Sequence, residues 1–240
     1  MSKQFAFCGS PDSGVTTASL KFAQELYNHH KCSVVYLSPD MSVPSMAYLF
    51  PNGKDSEIYS LGVTLDKTDI YKEDIIKQFV CVKTMSNFSF LGFKFGENKY
   101  SYPKPTEDKI VQFFLALRDT VDYIVVDCSH YDDDLISTIA KRDCDMAFQF
   151  FNPDFKCLTY YASCVNQFLS VQEKKKKVLN IEDIDLYLPI EETKSYFGGM
   201  DFILPYSRQL KQQMITGALS ERIRDKAYQN VIQDMVKAVI

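Results

Sequence analysis

The stretch Gly9-Ser10-Pro11-Asp12-Ser13-Gly14-Val15-Thr16-Thr17 carries the residue types and spacing best suited to chemistry. Its two glycines and its threonine fit the phosphate-loop pattern G-x-x-x-x-G-K-[ST], with Val15 standing where that pattern has lysine. Such a loop holds phosphate oxygens through backbone N–H groups and the positive end of the helix that it opens. The plain alternative is a glycine turn joining a strand to a helix. Three further segments end apolar runs on polar residues: Val34 to Ser38-Pro39-Asp40, Asp122 to Asp127, and Phe202 to Pro205-Tyr206. The second has the Walker B form and sets a carboxylate at a strand end.

Other reactive residues have simpler readings. His29 and His30 sit at a predicted helix end, where an imidazolium complements the dipole. His130 follows Asp127-Cys128-Ser129 too closely for a nucleophile–base pair and reads as a residue of the loop after a strand. Asp132, Asp133 and Asp134 cap the next helix more simply than they bind a metal. Lys174 to Lys177 read as a solvated helix end. The seven cysteines are odd in number and lack a C-x-x-C pair, which fits reduced thiols buried as small hydrophobes.

These residues need a scaffold, and the chain alternates short apolar runs with amphipathic stretches. Strands are predicted over Gln4–Cys8, Ser33–Leu37, Tyr123–Asp127, Asp145–Phe151 and Asp201–Leu204. A helix runs from Thr16 to His30, and another near Lys72–Phe79 precedes aromatic-rich extended chain around Phe88 to Phe95. Thr106 caps a helix carrying Ile110, Phe113, Phe114 and Leu117 at helical spacing. A short helix holds Leu135, Ile136 and Ile139. Asn152-Pro153-Asp154 opens a long helix through Leu158, Tyr161, Val165 and Leu169, and two helices close the chain. The aromatic clusters (Phe88, Phe90, Phe93, Phe95, Tyr160, Tyr161) read as core and interface. Tyr123-Ile-Val-Val is apolar throughout, the mark of a strand buried on both faces of a parallel sheet. The fold class is therefore α/β, a doubly wound and mostly parallel sheet flanked by helices, with β-strands Gln4–Cys8 and Tyr123–Asp127 as central neighbours.

The 240 residues, 46% hydrophobic and 24% charged, suit one globular domain over 1–240 and exclude disordered or fibrous classes. Lys+Arg 27 against Asp+Glu 31 gives a net charge of −4, so DNA contact would have to come from a local patch. No apolar run is long enough to span a bilayer.

With these motifs in this order, the sequence resembles the ParA/MinD family of deviant Walker A ATPases, and the resemblance covers nearly the whole chain. Lys99 to Tyr102, Tyr123 to Asp127 and Ser220 to Gln229 are similar to TadZ-type proteins, which place pilus machinery at the cell pole. The receiver-like domain common in that subgroup is not expected here. The family loop K-G-G-x-G-K-T-T aligns on Ser10 to Thr17. The resemblance implies that Ser10 replaces a lysine reaching across a dimer and that Val15 replaces the Walker lysine. Pro11 deletes a backbone donor, and Asp12 is expected to put a carboxylate where phosphate oxygens would sit. Ser38 stands at the aspartate that positions water, while Asp40 keeps the second aspartate. Thr16 is implied as the Mg²⁺ ligand, Asp127 as its outer shell and Pro205 as the adenine contact.

A hydrogen bond to a charged group contributes roughly 1.5–3 kcal/mol. Losing two lysines therefore costs about 3–6 kcal/mol, or on the order of 10²–10⁴ in affinity. Phosphoryl transfer depends on positioning and charge neutralisation, so turnover suffers further. The expectation is a pseudo-ATPase with no catalytic residue and no required cofactor, ATP and Mg²⁺ binding only if the altered loop still holds them. It acts as a positioning or assembly factor for a localisation, secretion or pilus apparatus, as a homodimer with weak DNA contact or none. Its expected location is cytoplasmic, at the membrane or cell pole only through partners. The alternatives are an active ATPase with a divergent loop and a DNA-associated partition protein.

Overall fold

Two apolar segments, Lys3–Gly9 (β1) and Tyr123–Asp127 (β5), build the middle of the molecule in this computed structural model. The structure describes residues 2–30, 32–51, 58–82, 84–131, 133–164, 174–181, 183, 185 and 188–240. The two strands pair in parallel from Lys3↔Tyr123 to Phe7↔Asp127. The elements Val34–Ser38 (β2), Val80–Val82 (β3), Met85–Gly92 (β4), Met146–Phe151 (β6), Lys175–Asn180 (β7) and Phe202–Leu204 (β8) complete the sheet. Its order is β3-β4-β2-β5-β1-β6-β7-β8, and every pair is parallel except β3–β4. The predicted α/β class and the central β1–β5 pair both hold.

Alternation along the strands divides the interior into two cores. Phe5, Phe7, Tyr36 and Val125 face one side, where Val15–His30 (α1) and Lys226–Lys237 (α10) pack on one another. Ala6, Cys8, Leu37 and Val126 face the other, against Glu107–Arg118 (α5) and Leu135–Asp143 (α6). The Thr106 hydroxyl accepts from the Lys109 amide and starts α5 as its position predicts. Asp134 likewise caps α6. Shorter helices lie at Met46–Leu49 (α2), Leu61–Leu65 (α3), Lys72–Ile76 (α4), Phe155–Ser163 (α7), Ile190–Tyr196 (α8) and Arg208–Thr216 (α9).

Several sequence expectations are corrected. Lys175 to Lys177 begin β7 rather than ending a helix, because Ala147 to Gln149 on β6 offer a parallel partner. The Lys176 ammonium pairs with Asp201 and that of Lys177 reaches the Phe197 carbonyl, so the lysines keep their heads at the strand's wet end. The helix opened by Asn152-Pro153-Asp154 reaches only Ser163; Val165 and Leu169 lie outside the described residues. Phe88, Phe90 and Phe93 are core, but Phe95 is 84% exposed. Cys8, Cys128, Cys144 and Cys157 are buried, whereas Cys81 is exposed, and none of the seven cysteines forms a disulfide.

A side-chain clasp fastens the end of the chain to α1. Lys21, 2% exposed, donates from its ammonium to the Leu219 and Glu221 carbonyls at 2.7 and 2.6 Å. Gln24 donates to the Ser220 carbonyl between them at 2.6 Å. Burial pulls the Lys21 pKa down to about 7, against the opposing pull of Glu221. Between that value and the unfolded value of about 10.4 the unfolded chain binds the extra proton, so stability rises with pH across this window. Urea denaturation of wild type and Lys21→Met should therefore diverge by about 2–4 kcal/mol in favour of wild type between pH 7 and pH 10. Parallel curves would show that the amine is not desolvated as described.

Candidate functional site

The loop from Gly9 to Thr17 leaves the centre of the sheet and opens α1. A Cβ on Gly9 would stand 2.8 Å from the Cβ of Phe150, so close packing against β6 requires glycine there. Gly14 and Asp12 take left-handed backbone, φ 75° and 60°. The Ser13 amide and hydroxyl both donate to the Ser10 carbonyl, at 3.2 and 2.6 Å, and draw the loop tight. Asn180 at the end of β7 donates to the Ser13 carbonyl at 3.1 Å.

Asp127 ends β5 beside this loop and is buried. Its carboxylate accepts from the Tyr36 hydroxyl at 2.9 Å, and the side chains of Thr16 and Ser38 also favour its charged form. Burial raises its pKa to about 6, offset in part by those three side chains and reinforced by the nearby charge of Asp40. Tyr36 is itself fully buried, and desolvation with the Asp127 charge lifts its phenol far above the usual range. Tyr48, on α2, also lines the cleft, and burial raises its phenol pKa. The cleft around these groups, about 490 Å³, is lined by the whole loop together with Ser38, Asp40, Tyr48, Asp127, His130 and Met214. A second cavity of about 440 Å³ adjoins it across Gly14, Thr17 and Met214 and carries Pro205, Ile181 and Asn152 on its walls.

This arrangement of loop, strand order and flanking helices has close counterparts among solved structures. A ParA family ATPase from Chlorobium tepidum TLS is 12% identical, with 99% of each chain covered and a TM-score of 0.79. The septum site-determining protein MinD of Pyrococcus horikoshii OT3, complexed with Mg-ADP, is 15% identical over 100% of this chain and 96% of its own, at 0.73. A putative plasmid partition protein of Borrelia burgdorferi B31 bound to AMPPNP is 13% identical over 99% and 98%, at 0.72. The chain has the ParA/MinD fold. Neither a protein-family model nor a curated protein matches the sequence.

Within the ParA/MinD fold, the structure gathers nearly all the residues singled out in the sequence. Gly9 to Thr17, Ser38, Asp40 and Asp127 line one cleft, and Pro205 lines the adjoining cavity. Asp40 is occupied locally, accepting from the Ser42 and Val43 amides at 2.7 and 3.0 Å. Asp12 departs from expectation. Its side chain is 83% exposed and turns outward to an ion pair with Lys156 of α7, so its carboxylate does not fill the cradle. The left-handed backbone at Asp12 aims it there. His130 packs against Tyr131 at the cleft edge, while His29 is exposed and away from it.

Sequence reasoning missed Tyr36, Tyr48, Lys156 and the amides of Asn152 and Asn180. Asn180 ends β7 after Val178 and Leu179, and Asn152 follows Phe150 and Phe151 of β6, so each is a polar residue closing an apolar run, which is a readable signal. Tyr36 gives none, because its partner lies 91 residues away.

The Tyr36–Asp127 bond generates a pH-dependent expectation. Above pH 6 the carboxylate is charged, and the bond contributes roughly 1.5–3 kcal/mol; below that it joins neutral groups and contributes about half as much. Tyr36→Phe should thus destabilise more at pH 8 than at pH 5 in urea denaturation. An equal cost at both would mean that Asp127 stays neutral throughout.

Proposed function

We propose that residues 1–240 form one ParA/MinD-like domain that has lost efficient ATP hydrolysis and serves as a positioning or assembly factor through protein partners. The observation that carries this reading is the lining of the loop cleft. Among its described residues there is no lysine or arginine, since Ser10 and Val15 take the two positions where the family has them. The backbone amides at the start of α1 remain, but Pro11 contributes none.

The residues present do not fit a magnesium triphosphate. Tyr36 takes one oxygen of the Asp127 carboxylate, and the described cleft lining offers no side-chain cation to balance a triphosphate. A protein without chemistry at its loop can still work by presenting surface, as MinD of Aquifex aeolicus is found in a complex with MinC. Among the described residues no helix is long and apolar enough to cross a membrane.

Surface around the cleft supports self-association. Val43, Phe155, Met214 and Ile215 surround the loop and are exposed by 56%, 68%, 59% and 74%. Apolar side chains gathered about a face that has lost two cations favour contact with a second copy of the same face.

Two measurements test this reading. Phosphate release from ATP should not exceed background for the wild type, and Val15→Lys alone should restore little, because Pro11 still lacks its donor. Turnover that Asp127→Ala abolishes would overturn the pseudo-ATPase. Separately, sedimentation velocity of the nucleotide-free protein should show a monomer–dimer equilibrium that Ile215→Asp shifts to monomer. A monomer at every concentration, unchanged by ATP, would reject self-association and leave other protein partners as its role.

A further inference from the structure

We propose that the loop joining β4 to α5 docks this protein directly onto an anionic lipid surface, with Phe95 and Tyr100 entering the headgroup region. This goes beyond the positioning through protein partners given above. The two rings are the most exposed large apolar side chains among the described residues, each at 84%. Gly96 beside Phe95 takes left-handed backbone, φ 82°, and a Cβ there would meet nothing within 4 Å, so the tip stands clear of the body. Such a tip offers rings rather than a groove. A bilayer interface receives aromatic rings of this kind without needing a complementary shape.

Polar bonds inside the loop hold the rings outward. Glu97 turns inward, where its carboxylate accepts from the Ser60 hydroxyl at 2.6 Å, the Lys94 amide at 2.7 Å and the Tyr102 hydroxyl at 2.7 Å. The Tyr102 ring lies on α3, where a Cβ on Gly62 would overlap it. Asn98 closes the next turn, its side chain accepting from the Tyr100 amide at 3.0 Å and its carbonyl from the Ser101 amide at 2.9 Å. A loop braced in this way before it binds loses little conformational freedom on docking.

Charge selects the surface. Residues 93–105 hold Lys94, Lys99 and Lys104 against the single acid Glu97, in a chain whose net charge is −4. Glu97 spends its charge on the three internal donors, while Lys99 and Lys104 are exposed. The Lys99 ammonium stands 5.4 Å from the Tyr100 ring centroid, which sets a cation beside a ring placed for headgroup depth. Asp66, exposed near Tyr102, opposes this attraction in part. Helix α10 does not compete for the role, because Tyr228, Ile232, Met235 and Val236 are buried in the core.

The chain contains no tryptophan, so the Phe95→Trp variant carries a single indole at the loop tip. With vesicles of phosphatidylcholine and phosphatidylglycerol in equal parts, its emission should shift to the blue; phosphatidylcholine alone should leave it unchanged. The Tyr196→Trp variant, exposed on α8, which joins β7 to β8 at the opposite edge of the sheet from β4, should shift with neither. In vesicle sedimentation of the full chain, Phe95→Ser and Tyr100→Ser should each weaken anionic binding roughly tenfold, and Lys99→Ser about fivefold. Their thermal melting should match wild type, since all three side chains lie in solvent. A wild type that ignores anionic vesicles, an unshifted Phe95→Trp emission, or binding that Phe95→Ser and Tyr100→Ser leave intact would each overturn the proposal. Positioning through protein partners would then stand without a lipid contact.

Discussion

A carboxylate at the end of a strand sealed on both faces must find its hydrogen-bond donors inside the protein, and Asp127 imposes that condition on everything around it. Its donor is the Tyr36 hydroxyl on β2, which also reaches the Thr16 carbonyl at the start of α1, and the side chains of Thr16 and Ser38 help to favour its charge. Satisfying one buried charge therefore fixes the first helix and the second strand against the fifth. The loop from Gly9 to Thr17 is tied at its far end by the Tyr36 hydroxyl on the Thr16 carbonyl, at its start by the pairing of Gly9 with Phe150, and in its middle by Asn180. A loop so anchored keeps its shape whether or not it retains the side chains for phosphate chemistry.

This separation of shape from chemistry explains how a sequence only 12–15% identical to ParA and MinD structures keeps their fold so completely. What the fold requires is glycine where β1 meets β6, apolar strands of the right alternation and hydroxyls facing Asp127. None of those requirements involves a lysine at position 10 or 15. Ser10 and Val15 occupy those positions within the same fold, and the described residues lining the cleft include no lysine or arginine. The architecture and the charge of the cleft are independent of one another, because they draw on different residues.

Much of the scaffold was legible because it is written in short-range pattern. The alternation of β1 and β5, the spacing of Ile110, Phe113, Phe114 and Leu117, and Thr106 as a cap each involve neighbours within a few positions. The departures involve partners far along the chain. Lys175 to Lys177 look like a solvated helix end until β6 supplies a parallel neighbour, and the β3–β4 hairpin is short and irregular at Cys81 and Val82. In the site, Gly9 to Thr17, Asp127 and Pro205 could be located from motif order, but the direction of the Asp12 side chain could not. It follows from a left-handed backbone angle and from Lys156, 144 residues away.

The packing of α10 on α1 has a consequence for synthesis at the ribosome. Tyr228, Ile232, Met235 and Val236 join the same buried cluster as Leu20, Ala23 and Leu26, and Lys3 donates to the Val239 carbonyl at 2.8 Å. Helix α1 thus receives its cover from residues translated about 200 positions later. For most of elongation the apolar flank of α1 is uncovered, and the β1–loop–α1 unit has only part of its final contacts. Closure of this domain is a late event, so nascent chains are open to chaperones, or to one another, until about residue 237 has cleared the exit tunnel.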